Sequence, residues 1–562
     1  MKIYKLILGI VLVSSLGACK KMDSLLDNPN SVDPSQANVD LLLNESQLSF
    51  SGVYNTLSDV GGELTRQQVM FGPLYSNAYA PSSFDGVWTT AYTGVIKNGD
   101  KVIDLALAQK KYKHAGMAQV LKAYTLGSLV DFFGDIPNSE SIMGVENLNP
   151  KADHGADVYK TVFALLDSAI SNFGKANSAA GPDNDLFYNG DFDNWTTAAK
   201  TIKLKFLMQI RLVDTSASAQ IDELLTEGDL ITTADQDFVF KYSTVNNAPD
   251  SRHPHYASNY NNSSTGSNSV SDYIGTYFMW CLAYEKGNGA ITSLDPRRRY
   301  YLYRQRTNYA AVDENTCPCY FALTPGHFPS TMPFCLPGPS GGYWGRDHGD
   351  DDGVPPDNSF RTTWGVYPAG GEFDASQGSS VNNTRGGRGA GINPIWMSFF
   401  TSFLKAEAAL KLNLPSAGVP RDLLEEGLRG SISKVLSFPA TVGVTVPAVN
   451  IPTQANIDSY VDEVLANYDL AADDNERLAI IEKEYYLAAW GNGIEPYNNY
   501  RRTGYPDDMQ FTVKTPSPGL FIRSVFYPSV FINRNLNAPA QKNPGFNADK
   551  VFWDNNPDNF IH

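Results

Sequence analysis

The chain has 562 residues, of which 42% are hydrophobic and 19% charged, and its formal net charge is −16. This length exceeds what one compact core serves, so two or more structural regions are expected, and the composition excludes a mostly disordered chain. The acidic balance disfavours nucleic acid as a partner, because affinity for nucleic acid comes from neutralising phosphates with Lys and Arg.

The N-terminus has the pattern of a lipoprotein export signal. A short positive start precedes an apolar run at residues 6–16, which has the length of a signal-peptide core and is too short to span a bilayer. The motif Leu-Gly-Ala-Cys follows and ends at Cys19. Small residues give a peptidase room to cut, and the thiol can carry diacylglycerol. We therefore predict a signal peptide at 1–18, acylation of Cys19 and a polar tether at 19–40.

Helical periodicity dominates residues 41–240. Apolar residues from Val158 to Phe173 recur on one face of a helix, and those from Trp195 to Val213 do the same, with Asn194 as the expected N-cap. Residues 86–109 and 112–133 form another adjacent pair. Consecutive helix pairs joined by short polar links predict a mostly α, tetratricopeptide-like α-solenoid scaffold.

Residues 241–392 lose the helical pattern and are rich in Gly, Pro, Asn, Ser and Tyr. Loops this long inside an ordered chain are usually functional or disordered, and the aromatic residues and prolines favour order. We predict a large, irregular, loop-rich ligand-binding lobe here. Helices resume in the C-terminal region, 393–562, where the periodic segments are 396–412, 421–437, 454–468 and 474–490 and the last seventy or so residues wrap the helices.

Four cysteines follow Cys19, namely Cys281, Cys317, Cys319 and Cys335. An exported protein meets an oxidising environment, and four thiols allow three pairings that sequence does not resolve. Cys317 and Cys319 would be strained if joined to each other, which favours pairing with distant cysteines. Free thiols and a zinc site with His327 are the alternatives, although the C-x-C spacing is unusual for structural zinc.

Sugar-binding sites combine flat aromatic faces with hydrogen-bonding groups, since sugar rings present C–H faces and hydroxyl edges. Trp344 and Trp364 are the leading candidates because they lie in Gly-rich loops without a helical stripe. The other candidate platforms are Tyr75, Tyr79, Trp88, Trp280, Tyr343 and Tyr367. Core packing is the alternative for each of them, and it is the favoured interpretation for Trp195 and Trp396, which lie on apolar helix faces.

A dense charged run at 346–353 holds the weak calcium candidates Asp347, Asp350 and Asp352. Calcium favours several carboxylate oxygens, but the spacing does not fit an EF-hand, so a solvated acidic loop is the preferred interpretation and no cofactor is predicted. The stretch Gly-Pro-Ser-Gly-Gly ending at Gly342 matches the hydrolase motif G-x-S-x-G literally. A hydrolase elbow needs a strand before the serine and a helix after it, so no catalytic residue is predicted.

Several segments, spread in order over nearly the whole chain, resemble the SusD/RagB family of lipoproteins. They are the lipobox with Lys20 and Lys21, the Trp-led helix 194–206, the segment Phe-Leu-Lys-Ala-Glu-Ala-Ala from Phe403, residues 491–506, and the closing motifs at 526–528, Asn535 and 552–554. No single segment is specific, but the ordered set is.

The resemblance implies tetratricopeptide-like helix pairs that carry an irregular ligand-binding lobe. It also implies a position on the outer membrane of a Bacteroidetes-type bacterium and a SusC-like TonB-dependent barrel as partner, over which the protein closes as a lid. The expected function is non-enzymatic nutrient binding at the extracellular side, with an oligosaccharide as ligand and a peptide as the alternative. A surface glycoside-acting enzyme and a protein-binding scaffold are the competing hypotheses.

Overall fold

The structure is a computed structural model, and it describes residues 38–72, 75–176, 181–260, 272–286, 294–307, 323–335, 342–350, 361–514, 521–543, 549–558 and 560–561. The expected signal peptide, Cys19 and nearly all of the tether lie outside these residues, as do Cys317, Cys319 and Asp352.

The N-terminal part of the described chain is helical. Its helices are α1 (Val39–Leu64), α2 (Tyr75–Ala78), α3 (Asp85–Thr90), α4 (Asn98–Ala108), α5 (Tyr112–Phe133), α6 (Gly155–Phe173), α7 (Phe192–Ile210) and α8 (Ala217–Glu227), with a π-helical segment at Ala91–Lys97 and 3-10 turns at Pro81–Phe84 and Gly144–Glu146. From α4 to α8 each helix packs against its neighbours in sequence, and α1 packs on α4 and α5. The predicted mostly α scaffold of helix pairs is confirmed.

The apolar stripes predicted for two of these helices are buried, but one predicted cap is wrong. Helix α6 buries its stripe from Val158 to Phe173 against α5 and α7. Helix α7 begins earlier than expected, because the Asp191 carboxylate accepts hydrogen bonds from the backbone N–H groups of Asp193 and Asn194 and so caps the helix. Asn194 therefore lies inside the first turn rather than at the cap.

The elements between the two helical regions are short. They are β1 (Phe238–Lys241), α9 (Pro254–Asn259), α10 (Thr276–Ala283), α11 (Arg298–Tyr301), β2 (Leu302–Arg304), β3 (Thr362–Trp364) and β4 (Ile392–Trp396). Strand β1 pairs antiparallel with β4, and β2 pairs antiparallel with β3, so the described residues form two two-stranded sheets joined by loops. Trp396 ends a strand here, whereas its apolar neighbours predicted the start of a helix.

The C-terminal helices are α12 (Ser398–Leu412), α13 (Pro420–Thr441), α14 (Gln454–Leu470), α15 (Asp474–Ala488), α16 (Ile494–Thr503) and α17 (Ser529–Ile532), with 3-10 turns at Pro415–Ala417 and Ala448–Asn450. Helices α12 to α15 pack against one another in sequence, and α15 also returns to α12. The four predicted segments correspond to α12–α15, with ends that differ by a few residues.

Two contacts join the helical regions. Helix α16 crosses α1 so closely that a Cβ on Gly61 would lie 2.2 Å from the carbonyl oxygen of Gly493, which restricts both positions to glycine. Nearby, the buried carboxylate of Glu407 in α12 accepts hydrogen bonds from Arg502 in α16 at 2.9 and 2.6 Å and pairs with Arg211 at the end of α7. One hydrophobic core runs through both regions.

Candidate functional site

Seven of the eight predicted aromatic platforms are buried. Tyr75, Tyr79, Trp88, Tyr343, Trp344, Trp364 and Tyr367 are between 0% and 6% exposed, so side chains of the protein cover their ring faces. A sugar ring has no free face to stack on at these positions in this conformation, and ligand contact there stays a prediction. Trp280 is half-buried, and the Lys483 ammonium lies 5.6 Å from its ring centroid.

The carboxyl end of α1 and the loops of the lobe enclose a pocket of about 280 Å³. Asp59, Glu63 and Gln68 line it from the α1 side, and His255 and Asp272 line it from the lobe. Asp59 and Glu63 are four residues apart, a spacing that puts both carboxyls on the same face of the helix. The lobe is held against this end of α1 by main-chain hydrogen bonds, including Val69 N–H to the carbonyl oxygen of Tyr273 at 3.0 Å.

His255 joins the two sides of the pocket. Its Nε2–H donates to Asp59 Oδ1 at 2.8 Å, and its Nδ1–H donates to Asp272 Oδ2 at 3.0 Å. Burial alone would lower the pKa of His255, but the charges and hydrogen bonds of the two aspartates raise that pKa to about 10. Burial opposes ionisation of Asp272 as well, and the imidazolium with its hydrogen bonds nevertheless lowers the pKa of Asp272 to about 2.

Trp364 supports this histidine rather than facing the pocket. Its ring lies between the rings of His255 and Trp490, with centroid distances of 3.8 and 4.0 Å. Its Nε1–H donates to Asp272 Oδ1 at 3.3 Å. A cationic imidazole over an indole face is favourable, and the stack fixes the orientation of the ring. Trp364 was predicted to contact ligand, and in the structure it lies beneath His255, which lines the pocket.

The third acid that lines the pocket is Glu63, which accepts a hydrogen bond from the Tyr79 hydroxyl at 2.9 Å. Burial and the charges of Asp59 and Asp272 raise the pKa of Glu63 to about 8, against the lowering effect of the Tyr79 hydrogen bond. At neutral pH the pocket therefore offers carboxylate acceptors, a protonated carboxyl that can donate, and the amide of Gln68. Such a mixture of donors and acceptors suits a ligand with several hydroxyl groups.

The predicted solvated acidic loop is wrong for Asp347 and Asp350, which are 0% and 5% exposed. Asp347 accepts hydrogen bonds from Gln510 Nε2 at 2.6 Å and from the Cys335 N–H at 3.1 Å, and burial raises its pKa to about 6. Asp350 pairs with the buried Arg346 at 3.1 Å. Within the described ranges no group of three or more His, Cys, Asp or Glu side chains is arranged to hold a metal ion.

The cysteines do not all form disulfides. Cys281 is a free, buried thiol in α10, whereas Cys335 is disulfide-bonded. A disulfide sulfur is not a thiolate, so Cys335 is not a zinc ligand in this state. His327, the other member of the zinc alternative, has its Nε2 2.9 Å from the carbonyl oxygen of Thr512 and donates a hydrogen bond to it.

The sequence interpretation missed Asp59, Glu63, His255 and Asp272. The Glu63 and Asp59 pair, beside two consecutive glycines near the end of a helix, was one available signal. A second was the pair of histidines around Pro254, since the chain has only seven histidines. Nothing local distinguishes Asp272 among the 60 acidic residues, because its role comes from its position in space.

Two related protein families match different parts of the chain. The family described as "Starch-binding associating with outer membrane" matches residues 29–311, and the family described as "Susd and RagB outer membrane lipoprotein" matches residues 387–526. No curated protein matches the chain. Within the described residues, no helix combines the length and apolar character needed to cross a bilayer.

Solved structures share the fold at low sequence identity. A SusD/RagB family protein from Bacteroides thetaiotaomicron has 18% identity and a TM-score of 0.65, with 89% of this chain and 95% of that chain covered. A SusD homologue from Bacteroides uniformis has 17% identity and a TM-score of 0.63, with 92% and 99% covered. A chitin-binding SusD homologue from Flavobacterium johnsoniae has 18% identity and a TM-score of 0.60, with 92% and 99% covered.

These neighbours have the tetratricopeptide-containing helical fold of SusD-like proteins, which are binding proteins rather than enzymes. The first family match alone spans just over half of the 562 residues, and the second covers most of the C-terminal helical region. The chain belongs to the SusD/RagB family of outer-membrane lipoproteins.

Proposed function

We propose that this protein is a lipid-anchored oligosaccharide-binding protein of the outer cell surface that delivers its ligand to a SusC-like TonB-dependent transporter. The observation that carries the proposal is the pocket between α1 and the lobe, in a chain whose family description includes starch binding. Two structural neighbours are named as chitin-binding, which supports a glycan over a peptide as ligand.

Recognition in this pocket rests on hydrogen bonds more than on stacking. Vicinal sugar hydroxyls donate to the carboxylates of Asp59 and Asp272 and accept from Glu63, which is protonated at neutral pH because its pKa is about 8. The side chain of Asp59 is 31% exposed, so Asp59 is the pocket acid that a ligand reaches most easily. Micromolar-to-millimolar affinity, which suits a protein that must release its ligand, requires about 4–8 kcal/mol.

The binding test is calorimetry with purified protein against starch, chitin and β-glucan oligosaccharides and a set of peptides. We expect oligosaccharide binding that weakens at least tenfold in Asp59→Asn. Asp157→Asn is the matched control, because Asp157 is 63% exposed on α6 and does not line the pocket. Turnover of an oligosaccharide would indicate an enzyme instead. No detectable binding to any oligosaccharide or peptide of the panel would favour a protein-binding scaffold.

The anchor and the orientation are tested separately. Mass spectrometry of the mature protein is expected to find an acylated Cys19 at its N-terminus, and Cys19→Ser is expected to leave the membrane fraction. Cys281→Ala, which removes the buried free thiol of α10, is the control for loss of a cysteine as such. Degradation by protease added to intact cells is expected for a protein facing outward, and full protection would contradict the extracellular orientation.

A further inference from the structure

A second pocket lies between the junction of α5 with α6 and the C-terminal tail that follows α16. Its volume is about 390 Å³, within the range of roughly 300–1,000 Å³ that small-molecule sites span. Asp135 and His154 line it from the helix junction, and Tyr527, Asp549 and Phe552 line it from the tail. None of these residues lines the pocket between α1 and the lobe. This second site is called the tail pocket below.

Lys542 holds the tail against the end of α5 and so builds one wall of the tail pocket. Its ammonium donates hydrogen bonds to the carbonyl oxygen of Phe133, the last residue of α5, and to the carbonyl oxygen of Val525 at 3.2 Å. A third hydrogen bond reaches Ser524 Oγ at 3.2 Å, and the ring centroid of Tyr527 lies 4.3 Å from the ammonium. Because its three N–H groups are all used, Lys542 shapes the pocket and does not serve as a donor to a ligand.

The two acids of the tail pocket each keep one carboxylate oxygen for a ligand. Asp135 Oδ1 accepts a hydrogen bond from the N–H of Gly155 at 2.8 Å, and Asp549 Oδ2 accepts one from the N–H of Asn543 at 2.7 Å. The second oxygen of each carboxylate has no hydrogen-bond partner among the described residues. A single main-chain bond thus orients each acid without saturating it.

His154 and Phe552 add a donor and an aromatic surface. His154 Nδ1 accepts a hydrogen bond from the N–H of Ala156 at 3.3 Å, which puts the proton of the neutral imidazole on Nε2. The ring of Phe552 packs on Gly155 so closely that a Cβ there would lie 2.7 Å from it, and the same ring is only partly buried. The protein therefore fixes one side of this ring and leaves part of it open to the pocket.

This combination selects a ligand with hydroxyl groups and apolar C–H faces. Lys550, the other cation that lines the pocket, pairs with Asp558 at 2.7 Å, so an anionic ligand would face two carboxylates without a free cation to balance them. A purely apolar ligand would leave the same carboxylates without partners. Sugar hydroxyls donate to the two acids and accept from the imidazole, while the C–H face of a sugar ring packs on Phe552.

The two pockets lie at the same end of the helical scaffold. Helices α1 and α5 run side by side in one direction, because Asp40 bonds His114 at their first turns at 2.9 Å and the rings of Phe50 and Tyr124 meet further along at 5.5 Å. The pocket between α1 and the lobe lies at the carboxyl end of α1, and the tail pocket lies at the carboxyl end of α5. The axes of packed helices are roughly 8–10 Å apart, so neighbouring helix ends place both pockets within reach of one oligosaccharide.

We propose that the tail pocket is a second oligosaccharide subsite, which binds sugar rings of a chain that also occupies the pocket between α1 and the lobe. This inference rests on the proposed function, because both pockets take the same class of ligand. A chain held in one pocket meets the other at a high effective concentration, so long oligosaccharides bind more tightly than short ones.

The test is calorimetry of the full-length protein with chitin, starch and β-glucan oligosaccharides of increasing length. We expect affinity to rise with chain length and the longest bound members to bind at least tenfold more weakly to Asp549→Asn and to Phe552→Leu. Short members, which reach only one pocket, are expected to lose less affinity. Asp167→Asn is the matched control, since Asp167 is 56% exposed, lines neither pocket and lies about 20 Å along α6 from His154.

Comparison with Asp59→Asn separates the two pockets. Weaker binding of long oligosaccharides in Asp59→Asn, with wild-type binding in both tail-pocket variants, would overturn the second subsite and leave the proposed function intact. The opposite result would retain the tail pocket and refute the ligand assignment of the first pocket, and no binding by the wild type would overturn both. If Phe552→Leu lowers Tm, Asp549→Asn decides, because its amide oxygen still accepts the Asn543 N–H and the fold is kept.

Discussion

Replacing Asp272 by Asn removes one of the two negative charges that hold His255 protonated, with little change of shape. The pKa of His255 is about 10 in the folded protein, against roughly 6.5 in an unfolded chain. Burial opposes this rise, and the carboxylates at 3.0 and 2.8 Å produce it. An opposite charge at this range shifts a pKa by about 1–3 units, so we expect the pKa of His255 in Asp272→Asn to fall by ~2 units.

The same shift predicts how stability depends on pH. Each unit corresponds to about 1.4 kcal/mol, so the rise in the pKa of His255 contributes roughly 4–5 kcal/mol. Because the folded pKa is the higher one, this contribution is complete below about pH 6.5 and disappears as the pH rises through about 10. Between pH 6.5 and 9 the contribution of His255 to the free energy of unfolding is expected to fall by about 3 kcal/mol in the wild type. In Asp272→Asn it is expected to fall by about half as much.

Two assays test this reasoning. NMR of protein with ¹⁵N-labelled histidine follows the titration of the seven histidines from pH 5 to 10.5, with His255→Gln for assignment. His253 and His348 are expected to stay neutral over most of this range, because burial lowers the pKa of each. Urea unfolding at pH 6.5 and 9 gives the stability difference. A wild-type His255 that titrates near pH 6.5, or an unchanged titration in Asp272→Asn, would refute the electrostatic coupling of His255 to Asp59 and Asp272.

Three further predictions concern the scaffold. Glu407→Ala leaves two buried arginines without their shared carboxylate, so the free energy of unfolding measured with urea is expected to fall by about 3–5 kcal/mol, and a loss below 1 kcal/mol would contradict the contact. Gly61→Ala places a Cβ 2.2 Å from the carbonyl oxygen of Gly493 and is expected to lower Tm by several degrees. Gly52→Ala has open space around its Cβ and is expected to stabilise α1 by about 0.5–1 kcal/mol. Asp191→Ala removes the α7 cap and is expected to lower the free energy of unfolding by roughly 1 kcal/mol, whereas Asn194→Ala is expected to lower it markedly less. Equal effects of the two variants in thermal unfolding would indicate that Asn194 is the cap after all.

Much of the helical scaffold follows from the sequence, because its signals are local. The stripe from Val158 to Phe173 repeats at helical spacing over about four turns, and neighbouring segments continue the pattern, so consecutive helices can bury their faces only on one another. Helix ends were less predictable. Asn194 and Asp191 are both good caps, and only the backbone at Asp191 has the extended geometry that turns its carboxylate toward the first N–H groups.

The residues of the candidate site could not be predicted from the sequence, because they are far apart along the chain. Trp364 was singled out for its Gly-rich surroundings, but its partner His255 is more than a hundred residues away along the chain, and so is its other partner, Trp490. Asp59 and Asp272 became a pair only because α9 carries His255 between them.

Sequence by itself predicted the export signal and determined the helical periodicity and the family, because each depends on contiguous residues or on their order. Only the tertiary structure decided which aromatic rings are buried, which acids share a pocket and which apolar residues remain at the surface. The physical reason is that burial and pKa depend on neighbours in space, and a loop-rich lobe has no repeat along the chain from which those neighbours can be inferred.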